Sequence, residues 1–196
     1  MLRIRVGTRD SALAMWQARE VAGLVSSPSV ETSICMVKSE GDTNLITPLY
    51  EWGIQGIFTK ALDIALLNNE IDIAVHSLKD VPTTLANGLT IAAVLPRANP
   101  YDVLVCRTPD TIEKMANKKP LIIATCSIRR KAQWLHKFPN TTIESIRGNV
   151  QTRLQKLHKS HWDGAIFAAA GLERLAIMPE TSGIQIPLHW MLPAPA

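Results

Sequence analysis

Short β-rich apolar runs alternate with stretches of helical period along most of the chain. This alternation limits the fold more than any other feature, because strands separated by helix-length segments pair in parallel and are covered by those helices. The first series reads "LRIRVG", "SALAMWQAREVAGLV", "ETSICMVK", "IFTKALDIALLNN", "IDIAV" and "LTIAAVL". The stretch "PRANPYD" (96–102) then interrupts it with two prolines, and the rhythm restarts as "DVLVC", "TIEKMANKK", "LIIAT", "IRRKAQWLHKF", "TTIESI", "NVQTRLQKLHK" and "DGAIFAA". The expected fold is therefore α/β, with one domain over 1–97, a second over 98–187, and a hinge where the prolines fall. "IPLHWMLPAPA" (186–196) adds no further strand-helix unit, and 188–196 reads as a returning hinge segment.

At 196 residues the chain is long enough for two domains that each bury a core. No apolar run approaches the roughly 20 residues that a bilayer span needs. Arg3, Arg5, Arg9 and Asp10 break up the N-terminal stretch, so it does not read as a secretory signal, and a cytoplasmic location is expected. Cys35, Cys106 and Cys126 are three in number and form no C-x-x-C pair, which argues for free thiols. The net charge of +4 comes from scattered residues rather than a basic block, and the five tryptophans are dispersed. Nucleic acid is not an expected partner.

In open α/β sheets, ligands sit beyond the carboxyl ends of the strands. Arg9 and Ser11 follow the first strand, and "HSLKD" (76–80) follows "IDIAV". Ser127, Arg129 and Arg130 follow "LIIAT", Arg147 follows "TTIESI", and Arg153 lies one turn into the next helix. All are expected at one edge, facing a cleft in which Lys79 and a single carboxylate, Asp80, join the arginines. Guanidinium groups grip carboxylates through paired hydrogen bonds, so the set calls for a ligand bearing several carboxylates. Asp80 among these cations is expected to stay ionised, which suits it to stabilising positive charge and to accepting N–H hydrogen bonds rather than to donating a proton.

Plainer readings stand beside these. Lys79–Asp80 also fits a solvated turn pair. Arg129–Arg130 at a helix start oppose the helix dipole unless an anion is near. His158 and His161 have H-x-x-H spacing but no third ligand nearby in sequence, so no metal is expected. His76 reads as a hydrogen-bonded structural residue, and Ser77 lacks the glycines of a nucleophile elbow. "GDTNLITPLYEWGIQGIF" (41–58) has no phosphate-binding glycine pattern and reads as a long loop of the kind that forms lids.

Several motifs together resemble one family, porphobilinogen deaminase (hydroxymethylbilane synthase). They are "GTRDSALAMWQA" (7–18), "GIFTKALDIALL" (56–67), "DIAVHSLKDVP" (72–82), "TCSIRRKAQW" (125–134), "IRGNVQTRLQKL" (146–157) and "AAAGLERL" (168–175), and the resemblance runs over essentially the whole chain. It implies a two-lobed fold like that of periplasmic binding proteins, with a hinge, an interdomain cleft and a third, smaller domain. It implies a monomeric transferase of tetrapyrrole (haem) biosynthesis that deaminates porphobilinogen and joins four molecules head to tail into hydroxymethylbilane on a covalent dipyrromethane cofactor. Each pyrrole carries an acetate and a propionate, which would account for the arginines. By the same resemblance Asp80 is the catalytic residue, stabilising the cationic azafulvene-like species formed as ammonia leaves. Arg9, Ser11, Lys79, Ser127, Arg129, Arg130, Arg147 and Arg153 match positions that bind cofactor or substrate carboxylates, and Phe58 matches an aromatic packed near the rings.

The chain departs from the family pattern in three places. Glu51 and Gln55 stand in a loop where lysine is common, and Cys126 stands where serine is common, a near-isosteric change. The family's tethering cysteine belongs to a third domain that does not follow "LPAPA", so these residues alone are expected to bind acidic pyrroles weakly and to be inactive. The alternative is a non-catalytic two-lobed binding protein for an organic polyacid, which shares the arginines but needs no Asp80.

Overall fold

The computed structural model describes residues 1–38, 59–177 and 183–194. Phe58, Glu51, Gln55 and the rest of the 41–58 stretch, expected as a long loop, lie outside the described residues. The chain divides into two compact units between Pro96 and Arg97.

The first unit is built on β1 (Leu2–Thr8), α1 (Ala12–Val25), β2 (Val30–Met36), α2 (Lys60–Leu67) and β3 (Ile73–Ala74). Its sheet has the order β2-β1-β3, and both pairings are parallel. Ser11 starts α1 by accepting a hydrogen bond from the Ala14 amide. Ala14, Ala18 and Ala22, four residues apart, then bring that helix close to the sheet on small side chains. Val6 packs on this face with Ala18 and Ala22, while Leu62, Ala65 and Ile71 form a separate cluster. Gly7 is required by close approach, since a Cβ there would lie 2.2 Å from Ile71 Cδ1.

The second unit contains β4 (Asp102–Cys106), α3 (Asp110–Ala116), β5 (Leu121–Ala124), α4 (Ile128–Lys137), β6 (Thr141–Glu144), α5 (Val150–Lys159), β7 (Gly164–Ala168), α6 (Ala169–Arg174) and β8 (Gln185–Pro187). The five strands run β6-β5-β7-β4-β8; β5 pairs parallel with β6 and β7, and β4 pairs antiparallel with β7 and β8. Strand alternation splits the core between the two faces. Val103, Val105, Ala165 and Phe167 point into one cluster, and Leu104, Cys106 and Ile166 into the other. Every residue of β4 is buried. That two-sided burial explains why "DVLVC" shows no alternation of apolar with polar residues.

One expectation meets a different outcome. "LTIAAVL" forms no strand: Ile91, Val94 and Leu95 are 51%, 62% and 46% exposed, and no strand pairs with them among the described residues. The stretch from residue 186 begins within β8, and Leu188 and Met191 just beyond that strand are buried in the second unit's core. Apolar side chains at those two positions fill the face beside Trp134, which is why this Pro-rich segment packs instead of running over the surface.

Candidate functional site

In the first unit, the carboxyl ends of β1 and β3 carry the expected residues. Val75 continues β3 by donating its amide to the Gly7 carbonyl. The chain then turns through a single 3₁₀ turn, Leu78–Asp80, closed by the Asp80 amide on the Ser77 carbonyl at 2.9 Å. Ser77 is tied to Gln17 of α1 by hydrogen bonding between its hydroxyl and the Gln17 amide group, 3.1 Å from Nε2. The turn that presents Lys79 and Asp80 is thus anchored to a helix on one side and to the sheet on the other. Asp80 is half-buried and Lys79 exposed.

His76 adds a feature that sequence alone did not show. Its Nε2 is buried and has no hydrogen-bond partner among the described residues. Burial is the main cause holding its pKa below the ordinary histidine value; Asp63 and Asp80 pull the other way, and Arg9 lowers it further. A neutral His76 beside Asp80 leaves the carboxylate's charge uncompensated by an imidazolium. Arg9 and Asp80 are therefore both within electrostatic reach of His76.

In the second unit, α4 and α5 start at the carboxyl ends of β5 and β6. Ser127 caps α4 by accepting from the Arg130 amide, and Asn149 caps α5 by accepting from the Thr152 amide at 2.9 Å. Gly148 precedes that cap with a φ of +115°, and a Cβ there would meet Thr152 at 2.7 Å. The tight turn lets Arg153 Nε donate to the Gly148 carbonyl at 2.7 Å. Lys156 Nζ donates to the Arg147 carbonyl, and Arg147 itself is 6% exposed.

Arg129 and Arg130 meet on one carboxylate. Asp102, 3% exposed, accepts from Arg130 Nη2 at 2.8 Å on Oδ1 and from Arg129 Nη2 at 2.7 Å on Oδ2. Arg130 Nη1 also donates to the Ile166 carbonyl at 3.0 Å, and Arg129 Nη1 to the Leu192 carbonyl. Burial lowers the Arg130 pKa, Asp102 opposes that, and repulsion from Arg129 and Arg153 adds to the lowering. Two guanidinium groups thus share a single carboxylate, leaving one positive charge in excess, and the Arg153 charge acts on Arg130 as well. Arg130 Nε is buried with no partner among the described residues. The anion that a helix start bearing two arginines demands is supplied in part by the protein itself, and the remaining charge favours a further anion.

Asp102 escaped the sequence reading, which looked for polar residues after strands. It opens a strand, but β4 runs against its neighbours and Asp102 pairs with Ala168, the last residue of β7. The start of β4 therefore lies at the same edge as the ends of β5, β6 and β7. A buried aspartate beginning an otherwise apolar run was the available signal.

Of the two histidines weighed for a metal, His158 is exposed and His161 Nε2 lies 3.0 Å from Glu144 Oε1. Glu144 also accepts from Trp162 Nε1, and these two hydrogen bonds, Trp162 first, hold its carboxyl below the usual range. His161 is engaged in closing the end of β6 onto the loop before β7.

The family model described as "Porphobilinogen deaminase, dipyromethane cofactor binding domain" matches residues 4–196. Among similar proteins, the porphobilinogen deaminase of Syntrophomonas wolfei is 42% identical over 196 residues, covering 99% of this chain and 63% of the relative. That of Desulforamulus reducens is 43% identical, covering 98% of this chain and 62% of the relative. That of Francisella tularensis subsp. novicida is 42% identical, covering 99% and 64%. This chain thus spans a little under two thirds of the length of those relatives. A solved structure, a probable amino-acid ABC transporter extracellular-binding protein from Bacillus subtilis, overlays with a TM-score of 0.48 at 14% identity, covering 95% of this chain and 78% of that one. That overlay is too loose to add to the α/β, two-unit organisation already visible in the two sheets. The match over nearly every residue, together with the relatives' identity, shows that the chain belongs to the porphobilinogen deaminase family.

Proposed function

We propose that this chain carries the catalytic and the carboxylate-binding parts of a transferase that deaminates porphobilinogen and joins four molecules into hydroxymethylbilane. The observation that carries the reading is the cluster of Arg129 and Arg130 on one carboxylate, with the Arg153 charge acting on Arg130 and a buried donor, Arg130 Nε, lacking a partner among the described residues. Such a cluster is stabilised by an acidic ligand, and a pyrrole bearing acetate and propionate arms has that chemistry.

The same donor set fits a dipyrromethane cofactor, whose side chains are also carboxylates. When bound, that group supplies the pyrrole end on which the product is extended. This chain's residues do the rest. Arg129, Arg130, Arg147 and Arg153, with Ser127, are the second unit's residues for holding carboxylate arms, and Arg9, Ser11 and Lys79 are the first unit's. Asp80 accepts hydrogen bonds from pyrrole N–H groups and stabilises the positive charge that develops as ammonia leaves. His76, kept neutral by burial, does not offset that charge. The working protein is a monomer of the cytoplasm, with porphobilinogen and not nucleic acid as its ligand.

Calorimetric titration with porphobilinogen, with succinate and with single-stranded DNA at several salt concentrations tests the reading. Porphobilinogen should bind more tightly than succinate, with affinity falling modestly as salt rises. Strong DNA binding with a steep salt slope would overturn it.

A further inference from the structure

We infer that Asp102 is a positioning residue that turns two neighbouring arginines into one fixed anion receptor. The inference deepens the reading above and rests on it. Arg129 and Arg130 are consecutive residues in the first turn of a helix, where successive side chains diverge and do not face each other. As two cations they also repel. Yet both bring Nη2 to the same carboxylate, one to each oxygen, at 2.7 and 2.8 Å. Asp102 is buried and held at the sheet edge by its own strand, with its carbonyl accepting from the Leu188 amide at 2.9 Å. The carboxylate is therefore the fixed partner and the long side chains are the groups it orients.

A guanidinium is planar, so fixing two of its nitrogens fixes the direction of every remaining N–H. For Arg130, Asp102 takes Nη2 and the Ile166 carbonyl takes Nη1. Nε is then left pointing where no described residue receives it. For Arg129, Asp102 and the Leu192 carbonyl do the same. Arg129, whose side chain is 26% exposed, keeps the donors that a ligand carboxylate can reach, and Asp102 decides their direction.

Charge and position give opposite signs, which makes the idea testable. Asp102→Asn removes the carboxylate shared by Arg129 and Arg130. If that carboxylate merely offsets positive charge, the folded variant binds anions as tightly as the parent or more tightly. If it positions the arginines, affinity for porphobilinogen and for succinate falls about tenfold or more, despite the added positive charge. Calorimetry on the variant, with its fold checked by circular dichroism, distinguishes the two, and equal or tighter binding overturns the inference. Should the variant not fold, nitrogen-15 spectra of the parent decide: slowed guanidinium rotation at Arg129 and Arg130 supports it, and free rotation at both overturns it. A parent chain that binds neither acid removes the proposed function but leaves the rotation measurement standing as the test of Asp102.

Discussion

Asp80 is held by a turn whose hydrogen bonds run through the backbone, so Asp80→Asn keeps the volume and leaves the turn in place. With the proposed function, the variant placed in a chain of the relatives' length should still bind porphobilinogen but lose turnover by about 10²-fold or more, the usual cost of removing a preorganised charge. Ammonia release measured beside binding checks this, and near-normal release would take Asp80 out of the mechanism. Cys106 offers a second test at this scale. Burial, with Asp163 adding to it, pushes its thiol up to about 12, while Cys35 and Cys126 are half-buried. The folded state thus favours the neutral thiol, a contribution complete below the ordinary thiol range near 9 and lost as pH rises from there towards 12. Alkylation at pH 8 of the folded chain should label Cys35 and Cys126 and spare Cys106, whereas the unfolded chain should take three labels by intact mass.

The segment "TIAAVL" (90–95) is apolar and β-prone, yet it has no strand neighbour among the described residues. Its amides should exchange with solvent far faster than those of β4, a difference of several decades, without unfolding of either unit. Protection equal to that of Val103–Val105 would show that a partner strand is present after all. This segment marks where local pattern stops being informative. β1, α1, β2, β5, α4, β6 and α5 were legible because each carries its own period and its own cap or turn residue, Ser11 and Ser127 among them. Whether an apolar run pairs depends on a neighbour far away in sequence, which no window around residues 90–95 contains. The direction of β4 is hidden for the same reason, and Asp102 was hidden with it. Arg129, Arg130 and Arg153 could be found because they follow strands, the common address for ligands; the carboxylate shared by Arg129 and Arg130 could not. Ser127→Ala should cost about 1 kcal/mol through loss of the α4 cap, read as a lowered melting temperature.

The two units differ in how much apolar surface they bury. Among the described residues the first rests on two small clusters, with Ala18, Ala22 and Ala65 in them, whereas the second covers both faces of five strands and includes Trp134, Trp162 and Phe167. Burial of large side chains contributes about 1.5–3 kcal/mol each, so the first unit should open at lower denaturant. Amide exchange under rising denaturant should release Val6 and Leu62 before Leu104 and Ile123; simultaneous release would mean that the units stabilise each other enough to unfold as one. Topology adds a mechanical consequence in the second unit. The chain comes in along β4 and goes out along β8, which are antiparallel neighbours with Val103 opposite Pro187. Tension between those two ends would peel the strands apart one hydrogen bond at a time instead of shearing them together, so the rupture force should be low. Beside that end, Asp102 and the Leu192 carbonyl are joined through Arg129. The ion pair that orients the receptor is thus also the latch across which a pull would first act, and stretching this unit would disarm its anion grip before its sheet came apart.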